Sequence, residues 1–272
     1  EVMSQLDACF GSLGARADIE KIFILGKGKA FIAGADIKFF LDAMAADDLD
    51  RIQRFTEFGQ AVLYKISNSN KTTYAYLDGL TLGGGLEVAL ACDYRIATKN
   101  TVLAFPETGI GIYPGLGGTQ RAPRLIGKAL AKMLIATGKF VKAEQAMAFG
   151  LVDAVIDPVF DWKELDEFSI GQPQPGKRKA RETELPFADF DGVVNDELFK
   201  NSAFAGYEKQ LRTKAPIALK TAMTLVDEGD KLDLTDALEL EVKGLKQIFS
   251  TRDSHAGLSS ILTAKRPEFT GS

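Results

Sequence analysis

The chain of 272 residues is 46% hydrophobic and 26% charged, which suits one large or two small globular domains with a sizeable core. Its formal net charge of −4 argues against general nucleic-acid binding, which works by neutralising phosphates, and no apolar run is long enough to span a bilayer. A single histidine, His255, and two cysteines far apart, Cys9 and Cys92, leave no zinc-ligand spacing and no histidine-based nucleophilic triad unless His255 serves, so acid–base chemistry falls mainly to carboxylates.

Taken in chain order, residues 1 to 13 predict a helix, and "IEKIFILG" (19 to 26) predicts a strand with a buried centre. "KGKAFIAGAD" reads as a glycine-bearing loop, followed by a helical stretch from about Ile37. Residues 48 to 66 place Leu49, Ile52, Phe55, Phe58, Val62, Leu63 and Ile66 at helical spacing. "TTYAYLDG" predicts a strand, "YRIAT" and "TVLAF" predict two more, and "GGTQRAPRLIGKALAKMLIATG" is helical. Loops after strands repeatedly carry glycine, and such loops are where open α/β folds bind ligands. Cys9 and Cys92 fall in apolar helical patterns and are expected as buried free thiols, which fits a reducing, cytoplasmic setting.

The stretch "LDGLTLGGGLEVALACDYRIA" (77 to 97) sets three glycines before a helix that is apolar nearly all round, with Glu87 inside it. Such a helix is expected to be buried. Two readings of Glu87 stand. A carboxylate in a first helical turn gains from the helix dipole. Alternatively, glycine N–H groups at the helix start form a hole for developing negative charge, with Glu87 beside it as a proton-transfer group.

From Asp157 the composition turns charged and is punctuated by Pro173, Pro175 and Pro186, which predicts a long connection with at most short structure; the basic run "GKRKAR" (176 to 181) within it reads as a solvated loop. Helical periodicity resumes from about 195, with "APIALKTAMTLVDEG" and "LTDALELEVKGLKQIFSTRD" the clearest segments.

Three blocks, "GKAFIAGADIKFF", "LDGLTLGGGLEVALACDYRIAT" and "FPETGIGIYPGLGGTQRAPRLIGKALAKMLIATGKFVKAEQAMAFGLVD", together with a "KRPEF" ending, resemble the enoyl-CoA hydratase (crotonase) superfamily in order and spacing. The resemblance implies an α/β fold, a spiral of repeated strand–strand–helix units over residues 1–195 with an insertion at about 158–195, and a C-terminal helical region, 196–272, that covers the active site and builds oligomers. The chain starts inside the family pattern, past its first strands. With the insertion, this fits a fragment or the hydratase part of a polypeptide fused to or associated with a 3-hydroxyacyl-CoA dehydrogenase.

Carried over residue by residue, the resemblance implies catalytic Glu87 and Glu107, an oxyanion hole from the N–H groups of Ala35 and Gly84, and Gly115 positioning the water. It implies coenzyme A contacts from Ala33, Asp36, Ile37, Lys38 and Lys265. The activity implied is syn hydration of trans-2-enoyl-CoA to 3-hydroxyacyl-CoA, with Δ3,Δ2-enoyl-CoA isomerisation or a non-catalytic acyl-CoA- or RNA-binding relative as alternatives. No cofactor or metal is expected beyond the coenzyme A of the acyl-CoA substrate. The implied partners are further copies of the chain, in a trimer or dimer of trimers, with no nucleic acid and no membrane.

Overall fold

Strands come in consecutive pairs, each pair divided between two sheets. The computed structural model describes residues 1–159, 163, 165 and 185–272. In it, β1 (Lys21–Leu25), β3 (Thr72–Leu77), β5 (Tyr94–Thr98) and β8 (Ala154–Ile156) form one parallel sheet in the order β1-β3-β5-β8. Their partners β2 (Ala30–Ala33), β4 (Leu80–Leu82) and β6 (Val102–Ala104) form a second sheet, closed by the antiparallel β7 (Val141–Lys142). A helical segment follows each pair: α2 (Ile37–Ala45) and α3 (Leu49–Ser67), then α4 (Gly84–Ala91), then α5 (Gly118–Ile126) and α6 (Lys128–Thr137). This is the expected spiral of strand–strand–helix units.

The helix α1 (Val2–Gly14) precedes the first pair, and α7 (Ala143–Phe149) separates β7 from β8. The C-terminal region holds the short helices α8 (Asp196–Lys200), α9 (Ser202–Ala205) and α10 (Glu208–Leu211), the longer α11 (Pro216–Gly229) and α12 (Leu234–Lys243), then α13 (Leu245–Phe249) and α14 (Arg252–Thr263). Asp36, Asp48, Asp233 and Thr251 cap α2, α3, α12 and α14 by accepting backbone N–H bonds, each worth about 1 kcal/mol.

Three expectations need correction. "KGKAFIAGAD" is not all loop, because Ala30–Ala33 pairs with Leu80–Leu82 as β2; the run is too short to show a period of its own. The helical stretch after "YPGL" is two helices, broken where Gly127 takes φ +88°. Cys92 is buried, as expected, but Cys9 is exposed on α1. Within the expected long connection Phe187 and Phe190 are buried and pack edge-on against each other, and Phe204 meets Phe187 edge-on and Phe190 at a tilt. Lys132, wholly buried, donates to the carbonyls of Ala188 (3.1 Å) and Phe190 (2.9 Å) and to Asp227 (2.8 Å), which pins that turn to α6 and α11. The basic run at 176–181 lies outside the described residues, as does most of the expected insertion. Among the described residues, no helix is long and apolar enough to cross a membrane.

The helix α4 runs through the core. Every residue from Gly85 to Ala91 is buried, and full burial of Leu86, Val88 and Leu90 contributes about 1.5–3 kcal/mol each. Gly85 is where α4 comes closest to β2: a Cβ there would stand 2.1 Å from the carbonyl oxygen of Ile32. That contact fixes how deep the start of α4 sits.

Candidate active site

The strands β2, β4 and β6 are parallel neighbours, and their last residues share a register, Ala33 with Leu82 and Leu82 with Ala104. Three loops therefore leave the sheet side by side at its carboxyl end, where α/β folds bind ligands. The first holds Gly34 and Ala35, the second Gly83 and Gly84, the third Pro106 and Glu107, and all six line one cavity of about 320 Å³. Glu87 projects into it from α4, and Gly115 and Leu116 close another side. The remaining wall is apolar and includes Phe40, Phe55, Leu245, Phe249 and Ile261, with the Phe40 and Phe249 rings 5.1 Å apart. Helices α13 and α14 thus supply part of the cavity wall from the C-terminal region.

The glycines answer for the position of Glu107. Gly83 takes φ +51° and ψ −120°, a conformation L side chains rarely adopt, and a Cβ there would lie 2.3 Å from Glu107 Oε1. Its N–H donates to the carbonyl of Ala104 at 3.0 Å, locking the turn to the end of β6. Gly84 opens α4, so its N–H has no acceptor inside the helix. Glu107 starts a 3₁₀ turn, Glu107–Ile110, that ends in Gly111 at φ +81°. The helix α14 packs on this turn through two close approaches: a Cβ on Gly111 would meet the Asp253 carbonyl oxygen at 2.4 Å, and one on Gly257 the Ile110 carbonyl carbon at 2.3 Å.

The two carboxylates are held differently. Glu87 is 2% exposed, and its Oε1 accepts the backbone N–H of both Leu116 and Gly118 at 2.7 Å. Burial pushes its carboxyl up to about 7, against the pull of those two amides and of the Arg121 charge. Glu107 is 7% exposed, and its Oε2 is buried without a hydrogen-bond partner. Burial first, then the charges of Glu87 and Glu241, raise it well above the usual carboxylate range. Two carboxyls so placed can share a proton, the arrangement that general acid–base chemistry needs.

Behind them lies a third, unforeseen carboxylate. Glu241 on α12 is wholly buried and accepts from Gly117 N–H (2.6 Å), Gln60 Nε2 (3.0 Å) and the Thr119 hydroxyl. Burial, then the Glu87 charge, raises its pKa to about 8. The sequence held a signal for it: Glu241 continues the apolar stripe Leu234, Ala237, Leu238 and precedes Leu245 by four, so a charge sits on a core face. Gln60 likewise interrupts the buried stripe of α3.

A family model described as enoyl-CoA hydratase/isomerase matches residues 1–170. The chain belongs to the enoyl-CoA hydratase/isomerase family. It is 33% identical over 254 residues to a crotonyl-CoA hydratase of Syntrophomonas wolfei, covering 92% of this chain and 80% of that protein. It is 28% identical to a short-chain-enoyl-CoA hydratase of Clostridium acetobutylicum, over 98% of this chain and 87% of the relative. The fold matches the crystal structure of an enoyl-CoA hydratase from Rhodobacter sphaeroides with a TM-score of 0.82 at 22% identity, covering 99% of this chain and 85% of that one.

Of the residues that the family resemblance singled out, Glu87, Glu107, Ala35, Gly84, Gly115, Ala33 and Ile37 line the cavity together. Asp36 caps α2 by accepting from Lys38 N–H at 3.0 Å and lines an adjoining cavity of about 360 Å³ that shares Gly34, Ala35 and Gly84 with the first. Lys38 and Lys265 are exposed and line neither cavity. The amides that hold Glu87 belong to Leu116 and Gly118, while the Gly115 carbonyl accepts from Gln60 Nε2 at 3.0 Å. Among the described residues, no group of three His, Cys, Asp or Glu side chains is placed to hold a metal ion.

Proposed function

We propose that this chain is an enoyl-CoA hydratase, a hydro-lyase that adds water syn across trans-2-enoyl-CoA to give 3-hydroxyacyl-CoA. The observation that carries the reading is the pair Glu87 and Glu107, both buried with raised pKa values and facing one cavity beside Gly84 and Ala35. The hydratase relatives at 33% and 28% identity support the same substrate class.

In this reading the thioester carbonyl lies against the second glycine of the turn, with the N–H groups of Ala35 and Gly84 aimed at its oxygen. The water oxygen bonds to C3, the π electrons move onto the carbonyl oxygen as an enolate, and those two donors stabilise that charge. Loss of one such donor typically costs on the order of 10²- to 10³-fold. A proton leaves the water and a proton reaches C2, so Glu87 and Glu107 divide the transfers between them; Glu107 is assigned the C2 side. Gly115 helps to place the water. No oxidation state changes overall, so the reaction is assigned no redox group, and its proton transfers are assigned to the two carboxyls without a metal. The apolar wall of Phe40, Phe55 and Phe249 takes the acyl tail, and Ala33, Asp36, Ile37, Lys38 and Lys265 are assigned to coenzyme A. The pathway assigned is β-oxidation of fatty acids, and the two free cysteines suit a reducing, cytoplasmic compartment. Assembly is assigned as a trimer or dimer of trimers, to be read by sedimentation.

Incubation with crotonyl-CoA tests the function. Loss of the enoyl thioester absorbance with formation of 3-hydroxybutyryl-CoA is expected. Conversion of a 3-enoyl thioester to the 2-enoyl isomer with no hydrated product would replace this reading with isomerisation.

A further inference from the structure

The loop that holds Glu87 is itself held from the other side. Along residues 116 to 118 successive backbone N–H groups alternate in direction: Leu116 and Gly118 donate to Glu87 Oε1, and Gly117 between them donates to Glu241 Oε1 at 2.6 Å. The same Glu241 oxygen accepts from Gln60 Nε2, which also donates to the Gly115 carbonyl. Oε2 of Glu241 takes the Thr119 hydroxyl, whose oxygen accepts from Gln120 Nε2 at 2.9 Å. Tyr113 Oη donates to the Glu241 carbonyl at 2.7 Å. Residues 113 to 119 are therefore clamped to one helical residue more than 120 positions later in the chain.

Every donor to the Glu241 carboxyl is an N–H or O–H group that favours its ionised form. The charged and titratable groups facing it are few: Glu87 on α4, Glu107 on the 3₁₀ turn, Tyr113 in the clamped loop, and Arg121 on α5. Cys92 and Arg124 act on Arg121 in turn. Arg121 is 7% exposed, and its Nε and Nη2 have no hydrogen-bond partner, so one buried cation balances three buried carboxyls. Resting on the hydratase reading, we infer that Glu241 is a positioning residue for the reaction: it aims Glu87 through the Gly117 amide, and the negative charge it takes on as pH rises holds a proton on the Glu87–Glu107 pair on the alkaline side. It stands behind the loop, is wholly buried and does not line the cavity. The raised pKa of Glu107, to which its charge contributes, agrees with this role.

Substitution Glu241→Gln removes the charge and keeps the shape. With that charge gone, Glu87 and Glu107 lose their shared proton more easily as pH rises, so the alkaline limb of kcat/KM for crotonyl-CoA hydration should move to lower pH by on the order of one unit, scanned from about pH 5 to about pH 9. KM on the alkaline side should stay near the wild-type value while kcat falls. Thr119→Val removes only the hydroxyl donor, makes Glu241 easier to neutralise, and should move the limb the same way by less. If Glu241→Gln does not fold, Thr119→Val decides alone. A carboxyl carbon-13 titration of glutamate-labelled, substrate-free protein reads the same shift without turnover. Wild-type protein that hydrates nothing would sink the hydratase reading while that titration still tests the coupling. Limbs and carboxyl titrations of the variants that coincide with wild type would overturn the inference, because a purely structural clamp changes stability and leaves the profile in place.

Discussion

Replacing Gly83 by alanine should damage the site in two separable ways. The backbone at φ +51° and ψ −120° must hold an L residue, at a cost of about 1–3 kcal/mol. For a domain of this size that lowers Tm by roughly 2–12 °C. The added methyl would also lie 2.3 Å from Glu107 Oε1, so the carboxylate must retreat by about 1 Å to reach van der Waals separation. A misplacement of about 1 Å costs about 10²-fold in rate. Gly84→Ala is the matched control, because Gly84 has an ordinary φ and its Cβ would meet the end of the Leu116 side chain at 3.3 Å and Glu87 Oε2 at an ordinary 3.9 Å. That variant should melt at or above the wild-type temperature, since alanine is the better helix former, yet lose turnover as the methyl enters the space assigned to the thioester. The checks are thermal melts and crotonyl-CoA hydration of both variants. A Gly83→Ala protein with wild-type Tm and turnover would refute the geometry given for the turn.

Substrate-free stability should fall as pH rises from about 4.5 to about 7. Burial raises Glu87 to about 7, so the preference for its neutral form is fully present below the unfolded pKa and is lost as pH climbs through the folded one, worth about 3 kcal/mol. Glu87→Gln should accordingly gain stability relative to wild type across that window, and a constant difference in melts at each pH would contradict it. Lys132→Met should cost on the order of 2–3 kcal/mol, because the Ala188 and Phe190 carbonyls lose their donor while Asp227 keeps Lys128 at 2.6 Å; urea unfolding measures it. Gly111→Ala should loosen α14 from the turn that carries Glu107, because the methyl would lie 2.4 Å from the Asp253 carbonyl oxygen. Faster amide exchange in residues 252–263 with reduced turnover is the expected result.

Much of the site was legible because its parts are local. The buried run after the three glycines marked α4 and Glu87, and the family blocks placed Glu107, Ala35 and Gly115, all of which reach one cavity. What was illegible came from pairing and long-range packing. The strand β2 has only four residues, and its neighbour β4 has three; neither carries a period, and only their mutual register makes them a sheet. The clamp by Glu241 joins residues more than 120 positions apart, and no local pattern states that the charge on α12 meets the loop after Tyr113. Phe187 and Phe190 sat in a charged, proline-marked stretch, and their burial depends on Phe204 and on Lys132 reaching their backbone.

The central claim is that Glu87 and Glu107 act as one unit on one bound water and on C2. Turnover of crotonyl-CoA by Glu87→Gln, Glu107→Gln and the double variant tests it, with binding of a non-reactive acyl-CoA measured alongside. Glutamine keeps the shape and cannot carry the proton, so each single change should lower kcat by roughly 10²- to 10⁴-fold with thioester binding nearly intact. The double variant should be far less impaired than the product of the two losses, as for residues that share a step. Single variants that hydrate crotonyl-CoA at near wild-type rates, or losses that multiply in the double variant, would contradict the paired-carboxylate account.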